Sequence, residues 1–139
     1  MERYESELRA YAEWLGIAGS VVFPGHIRFE EILTYYRAAD AFVCMSEHEG
    51  FCVPLVEAMY FGVPIIAYRS TAVPETLGEG GLLLDDKDPE LAAAVIDRVI
   101  RDEALRIRIF ESQKQELARF RYEAVRDRFL KCIENIQGL

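Results

Sequence analysis

No stretch of this sequence stays apolar for the ~18 residues that a membrane-crossing helix needs. A spanning helix is excluded, and surface association with a membrane is left open. The N-terminus is polar and amphipathic, without the apolar core of a signal peptide. Cysteine is scarce: Cys44, Cys52 and Cys132 are odd in number and share no metal-ligand spacing, so neither a disulfide framework nor a metal cluster is expected. Cys44 lies in an apolar run, where a free thiol acts as a small hydrophobe, and this usage fits a cytoplasmic location. Clustered cations are missing too. Sixteen Lys and Arg stand against 24 Asp and Glu, mostly interleaved, for a net charge of -8. That balance excludes a surface that tracks nucleic-acid phosphates. Any anionic ligand must be held locally, against an unfavourable overall field.

What is present reads as one soluble domain over residues 1–139, with residues 116–139 a C-terminal helix. The chain is 51% hydrophobic and 29% charged, and a chain of this length buries roughly two-thirds of its unfolded surface. Tyr4, Leu8, Tyr11, Ala12 and Leu15 recur at helical spacing, with Gly16 or Gly19 to end the helix. Val21-Val22-Phe23 predicts a short strand closed by Pro24-Gly25. Residues 29–39 predict a helix, and Ala41 to Met45 a strand buried on both faces. A helix from about Pro54 to Phe61, strands at Pro64–Ala67 and Leu82–Leu84, and three closing helices complete the pattern. Asp88 and Asp102 are placed to cap the first two of those helices, the first with Pro89 at its opening position. Unbroken apolar strands between helices predict a Rossmann-like parallel α/β sheet of about four strands, covered by helices on both faces. Ligands of such sheets bind outside the carboxyl ends of the strands, which points to the turns after Phe23, Met45 and Ala67.

On that edge, the segment from Ser46 through Glu49-Gly50-Phe51-Cys52-Val53 joins a strand end to a helix start. Gly50 permits close backbone approach, and free N–H groups with a favourable dipole make a helix start a site for a diphosphate. The plainer reading is a strand-to-helix turn that contains a glycine. Glu57 is the only charge between Val53 and Phe61, in a helix apolar on nearly all sides. Its carboxylate is costly there unless hydrogen-bonded. It either caps a neighbour or, pointing back toward the loop, accepts from vicinal hydroxyls of a ribose.

The string Ala39–Val43, Ser46, Glu49-Gly50-Phe51, Pro54, Glu57-Ala58 and Gly62-Val63-Pro64, with its E-x7-E spacing, resembles the retaining GT-B glycosyltransferases of family 4. Val22–Gly25, Pro74-Glu75 and Gly81-Leu82-Leu83 match in order, so the resemblance runs from about Tyr4 to Phe129. It implies a nucleotide-sugar donor domain that transfers a hexose with retention and without a metal or other cofactor. Glu57 would bind the ribose hydroxyls, and Glu49, the candidate catalytic residue, the hydroxyls of the transferred sugar. The backbone of Gly50, Phe51, Cys52 and Val53, following Ser46, would meet sugar and phosphate, and Gly25-His26-Ile27 would lie near the base.

Two departures matter. Cys52 stands where the family usually has Gly, so a side chain either crowds the donor or demands a different backbone angle. The sequence also begins at what resembles the second helix of a six-strand domain, without the two preceding strands, their diphosphate-neutralising Arg and Lys, or an acceptor domain. Little or no transfer by this polypeptide alone is the expectation. The edges left unpaired lead us to expect that Val21–Phe23 shifts to pair with the next strand, or that a second copy supplies pairing. A non-catalytic nucleotide-sugar binding module and a GT-B nucleotide-sugar epimerase are the alternatives. A His48/Cys52 nucleophilic dyad lacks an orienting carboxylate. Arg69 either meets a phosphate or is solvated, and the cations from Arg119 to Lys131 read as a solvated face.

Overall fold

The computed structural model describes residues 2–137. The chain forms two compact units, Met1–Ile32 and Leu33–Leu139. In the first, α1 (Glu2–Trp14) carries the ion pairs Arg3–Glu7 at 3.1 Å and Arg9–Glu5 at 2.7 Å. It ends at Gly16, whose φ of 72° lets the Ile17 N–H reach back to the Ala12 carbonyl at 3.0 Å. A 3-10 turn, Ala18–Ser20, follows. Val21–Phe23 forms no strand, and Val22 is exposed. The strand expected there, and its shift onto the next one, are therefore corrected. Three β-favouring residues are not a strand without a ladder partner to satisfy their backbone.

The second helix, α2 (Phe29–Ala38), leads into the sheet. Strands β1 (Phe42–Cys44), β2 (Ile65–Tyr68) and β3 (Leu82–Leu84) are parallel in the order β1-β2-β3. Val43 lies opposite Ile66, and Ile66 opposite Leu82. Among the described residues the sheet has three strands, not about four. Ile65, Ile66 and Ala67 are all fully buried. Successive side chains of a strand point to opposite faces, so both faces of β2 are covered. The strand β1 is different: it pairs on one side only, and Val43 is 41% exposed, which corrects the expectation of burial on both faces.

Between the strands run α3 (Val53–Tyr60) and the short α4 (Val73–Leu77), an element the sequence pattern did not announce. Next come α5 (Pro89–Arg101) and α6 (Glu103–Leu117), capped by Asp88 and Asp102, which accept from the Glu90 and Leu105 N–H groups. Ile66 and Leu84 pack with Val99 and Ile109 in one cluster of the core. The terminal helix expected over 116–139 starts later: α6 runs to Leu117, a 3-10 turn occupies Ala118–Phe120, and α7 spans Tyr122–Gln137. No helix among the described residues is long and apolar enough to cross a membrane.

Candidate functional site

Because the three strands are parallel, the segments after Cys44, Tyr68 and Leu84 emerge at one edge. Hydroxyl groups from the segment after β2 hold the loop after β1 at three points. Ser70 Oγ donates to the Ser46 carbonyl at 2.7 Å. Thr71 Oγ1 accepts from the Glu49 N–H and donates to the Glu49 carbonyl, both at 2.8 Å. Thr76 Oγ1, on α4, donates to the Phe51 carbonyl at 2.6 Å. These three residues, missed in the sequence, fix the backbone path of the candidate loop. Their only signal was position: hydroxyls just past the strand that neighbours β1.

The loop enters α3 through Cys52, at φ 64° and ψ 65°. The backbone thus takes the left-handed conformation that suits glycine, and the side chain turns inward, 5% exposed. Its Sγ lies 3.8 Å from that of Cys44. Burial, with Cys44 and then Glu49 adding to it, pushes the Cys52 thiol up to about 12. That is the wrong direction for a nucleophile, and no His48/Cys52 dyad results. Beyond the turn, Leu55 N–H bonds to the Cys52 carbonyl at 3.0 Å and Pro54 has no N–H. Among the described residues, the N–H groups of Gly50, Phe51, Cys52 and Val53 donate to no backbone carbonyl. Four consecutive donors stand ahead of a helix, next to the half-buried Glu49.

In the second turn of α3, half-buried Glu57 accepts from Tyr36 Oη at 2.9 Å. Tyr36 is itself buried, stacked on Phe61 at 5.5 Å. Burial, then the hydrogen bond and charge of Glu57, pushes the Tyr36 phenol far above its usual range. One Glu57 oxygen is thus oriented by α2, a contact invisible in the sequence because its partner lies 21 residues away.

The cations of this edge are committed. Arg69 pairs with Asp85, and Lys87 Nζ with Glu47 at 3.1 Å. Of the cations expected on a solvated face, Arg119 pairs with Glu116 and donates to the Glu75 carbonyl at 2.8 Å, while Arg128 donates to the Arg119 carbonyl at 2.8 Å. They line, with Gly50, Phe51 and Thr76, a cavity of about 380 Å³. Gly25, His26 and Ile27 belong to the first unit, with Gly25 and His26 exposed, whereas every bond described for the candidate site lies within the second.

The turn of N–H groups, with Glu49 beside it and Glu57 eight positions further on, thus lies at the carboxyl edge of a parallel sheet, where ligands of open α/β sheets bind. The model of the family "Glycosyl transferases group 1" matches residues 2–116, and the chain belongs to that family. The chain is 33% identical over 131 residues, 93% of its length, to a D-inositol 3-phosphate glycosyltransferase of Corynebacterium jeikeium, covering 31% of it. It is 35% identical over 88 residues to the O-antigen chain mannosyltransferase B of Escherichia coli, covering 63% of this chain and 23% of the relative. The chain therefore spans less than a third of these curated relatives. The solved C-terminal domain of a group 1 family protein (LpcC) from Francisella tularensis superposes with a TM-score of 0.71 at 32% identity, over 84% of this chain and 61% of that one. Anabaena Alr3699/HepE, solved with UDP and glucose, shares the fold at a TM-score of 0.83 and 23% identity, over 96% and 37% of the two chains. The fold is thus the Rossmann-like α/β architecture of GT-B C-terminal domains.

Proposed function

We propose that this chain is the donor-binding part of a retaining glycosyltransferase that moves a hexose from a nucleotide diphosphate sugar to an acceptor held elsewhere. The observation that carries this reading is the row of four N–H groups from Gly50 to Val53, free of backbone partners at the start of α3. A helix start so equipped suits a diphosphate, held without a metal. Glu49 takes hydroxyls of the sugar. Glu57, one oxygen engaged by Tyr36, offers its other lone pairs to the ribose. HepE has also been solved with UDP-glucose, a nucleotide sugar. The unbridged Cys44, Cys52 and Cys132 fit work in the cytoplasm.

Binding without turnover is the second reading. It is favoured by Arg69 and Lys87, the cations of the strand-end edge, being paired with acids instead of free for a leaving diphosphate. Calorimetry with UDP-, GDP- and ADP-sugars tests both. One of the three binds, and Glu57→Gln weakens it by ~5- to 50-fold, the loss of one or two charge-assisted hydrogen bonds. Binding by none of them removes both readings, whereas transfer to added acceptors by the chain alone removes the second.

A further inference from the structure

We propose that Cys44, Cys52 and Glu49 form a site for one thiophilic divalent ion of the zinc class, whose occupancy withdraws Glu49 from the sugar. The second half of this proposal rests on the donor-site reading above; the first does not.

The donor atoms of the three residues all lie within 4.8 Å of one another. The two sulfurs are 3.8 Å apart. In a tetrahedral site with metal–sulfur bonds of ~2.3 Å, the edge between two sulfurs measures roughly 3.8 Å. The pair is therefore spaced for a shared ion as it stands. A disulfide, at ~2.05 Å, would require the sulfurs to close by roughly 1.7 Å. Both thiols are buried, 9% and 5% exposed, and they come from the end of β1 and the entry to α3. The seven residues between Cys44 and Cys52 resemble no familiar ligand spacing, which is why the sequence pattern concealed the pair.

Glu49 completes the set. Its backbone is fixed at both N–H and carbonyl by Thr71, while its carboxylate takes no hydrogen bond among the described residues. Cys44 Sγ donates to Ser46 Oγ at 3.6 Å, so this hydroxyl or a water would supply the fourth ligand. Two thiolates and a carboxylate with one open position form a donor set that zinc accepts. Ligation is balanced: each thiol gives up its proton, and the ion with three anionic ligands carries one net negative charge. Ligation takes one oxygen of this carboxylate and turns it toward the ion, leaving it a weaker acceptor for the hydroxyls of a sugar. The turn thus becomes an ion-controlled one.

The test is titration of the reduced full chain with Co²⁺, followed by competition with Zn²⁺. We expect about one Co²⁺ per chain, with the sulfur-to-cobalt charge-transfer band and tetrahedral d–d bands, all displaced by Zn²⁺. Cys44→Ser and Cys52→Ser abolish the charge-transfer signal, Glu49→Gln weakens binding at least ~10-fold, and Cys132→Ser changes nothing. Circular dichroism identifies any variant that is unfolded, and the wild-type titration decides the site without them. Absence of the band in the wild type overturns the ion site. So does stoichiometric loss of two thiols to a disulfide before any ion binds. In the donor arm, calorimetry with the best-bound nucleotide sugar is repeated with one equivalent of Zn²⁺, which we expect to weaken affinity at least ~10-fold. Unchanged affinity overturns the competition. A chain that never binds donor fails the functional reading instead, and the cobalt spectrum still decides the site.

Discussion

At φ 64° and ψ 65°, Cys52 holds a conformation that costs an L-residue about 1–2 kcal/mol, with its thiol buried against Cys44. Glycine would relieve that strain. It would also lose the buried thiol and add about 0.5–1 kcal/mol of unfolded-chain entropy, so Cys52→Gly should leave stability within about 1 kcal/mol of the wild type. Alanine keeps the strain and vacates the space of the sulfur. Urea midpoints should therefore rank Cys52→Ala below Cys52→Gly, and the reverse order would mean that the turn has relaxed out of the left-handed region. The thiol adds a pH dependence. Its folded value, raised from 9.0 to about 12, keeps it protonated where the unfolded chain ionises. The unfolded state then binds fewer protons, so stability falls as pH rises above 9.0, by up to about 1.4 kcal/mol per unit. Cys52→Gly should flatten the slope between pH ~9 and ~10, before tyrosines ionise in the unfolded chain. At this scale Glu57 was legible, because one charge in an apolar helix demands a partner. Its partner Tyr36 was not, and neither were Ser70, Thr71 and Thr76, since tertiary pairing has no local signal.

Where α3 ends, Gly62 has a φ of 69°. A Cβ there would lie 2.8 Å from the ring of Phe110 on α6. Gly62→Ala therefore meets two costs at once, a left-handed backbone and a ring that must shift. We expect a loss of about 1–3 kcal/mol, read as a lower thermal midpoint. Adding Phe110→Leu should restore part of it by vacating the ring's space, and no restoration would place the whole cost in the backbone. The same contrast explains which elements were readable. The start of α5 was fixed by Asp88 and Pro89, and that of α6 by Asp102, since caps act across a few residues. The strands β2 and β3 were fixed by apolar runs bounded by Pro and Gly. Val21–Phe23 looked equally strand-like, but a strand exists only through its neighbour. Five-residue α4 is too short to display a period, and its Thr76 is committed to the loop before α3.

Taken as a whole, the molecule carries a net charge of -8, yet the proposed ligand is an anion. Two kinds of attraction overcome such a field, and they respond oppositely to salt. A clamp of free cations weakens steeply as ions screen it. Short-range N–H donors at a helix start lose less, and screening also relieves the long-range repulsion between the acidic protein and the diphosphate. Arg69 and Lys87 are already paired with Asp85 and Glu47. The N–H groups of Gly50 to Val53 have no backbone acceptor among the described residues. The second kind should therefore dominate in this chain. Its affinity for the best-bound nucleotide sugar should change by less than ~3-fold between about 50 and about 500 mM NaCl. Calorimetry across that range checks it. A weakening of ~10-fold or more would mean that a cation holds the phosphates, either Arg69 or Lys87 after leaving its acid or Arg128 on the cavity beside Gly50 and Phe51. Repeating the series with Arg69→Gln, Lys87→Gln and Arg128→Gln would then identify the cation, because only the one that clamps would remove the salt dependence along with the affinity.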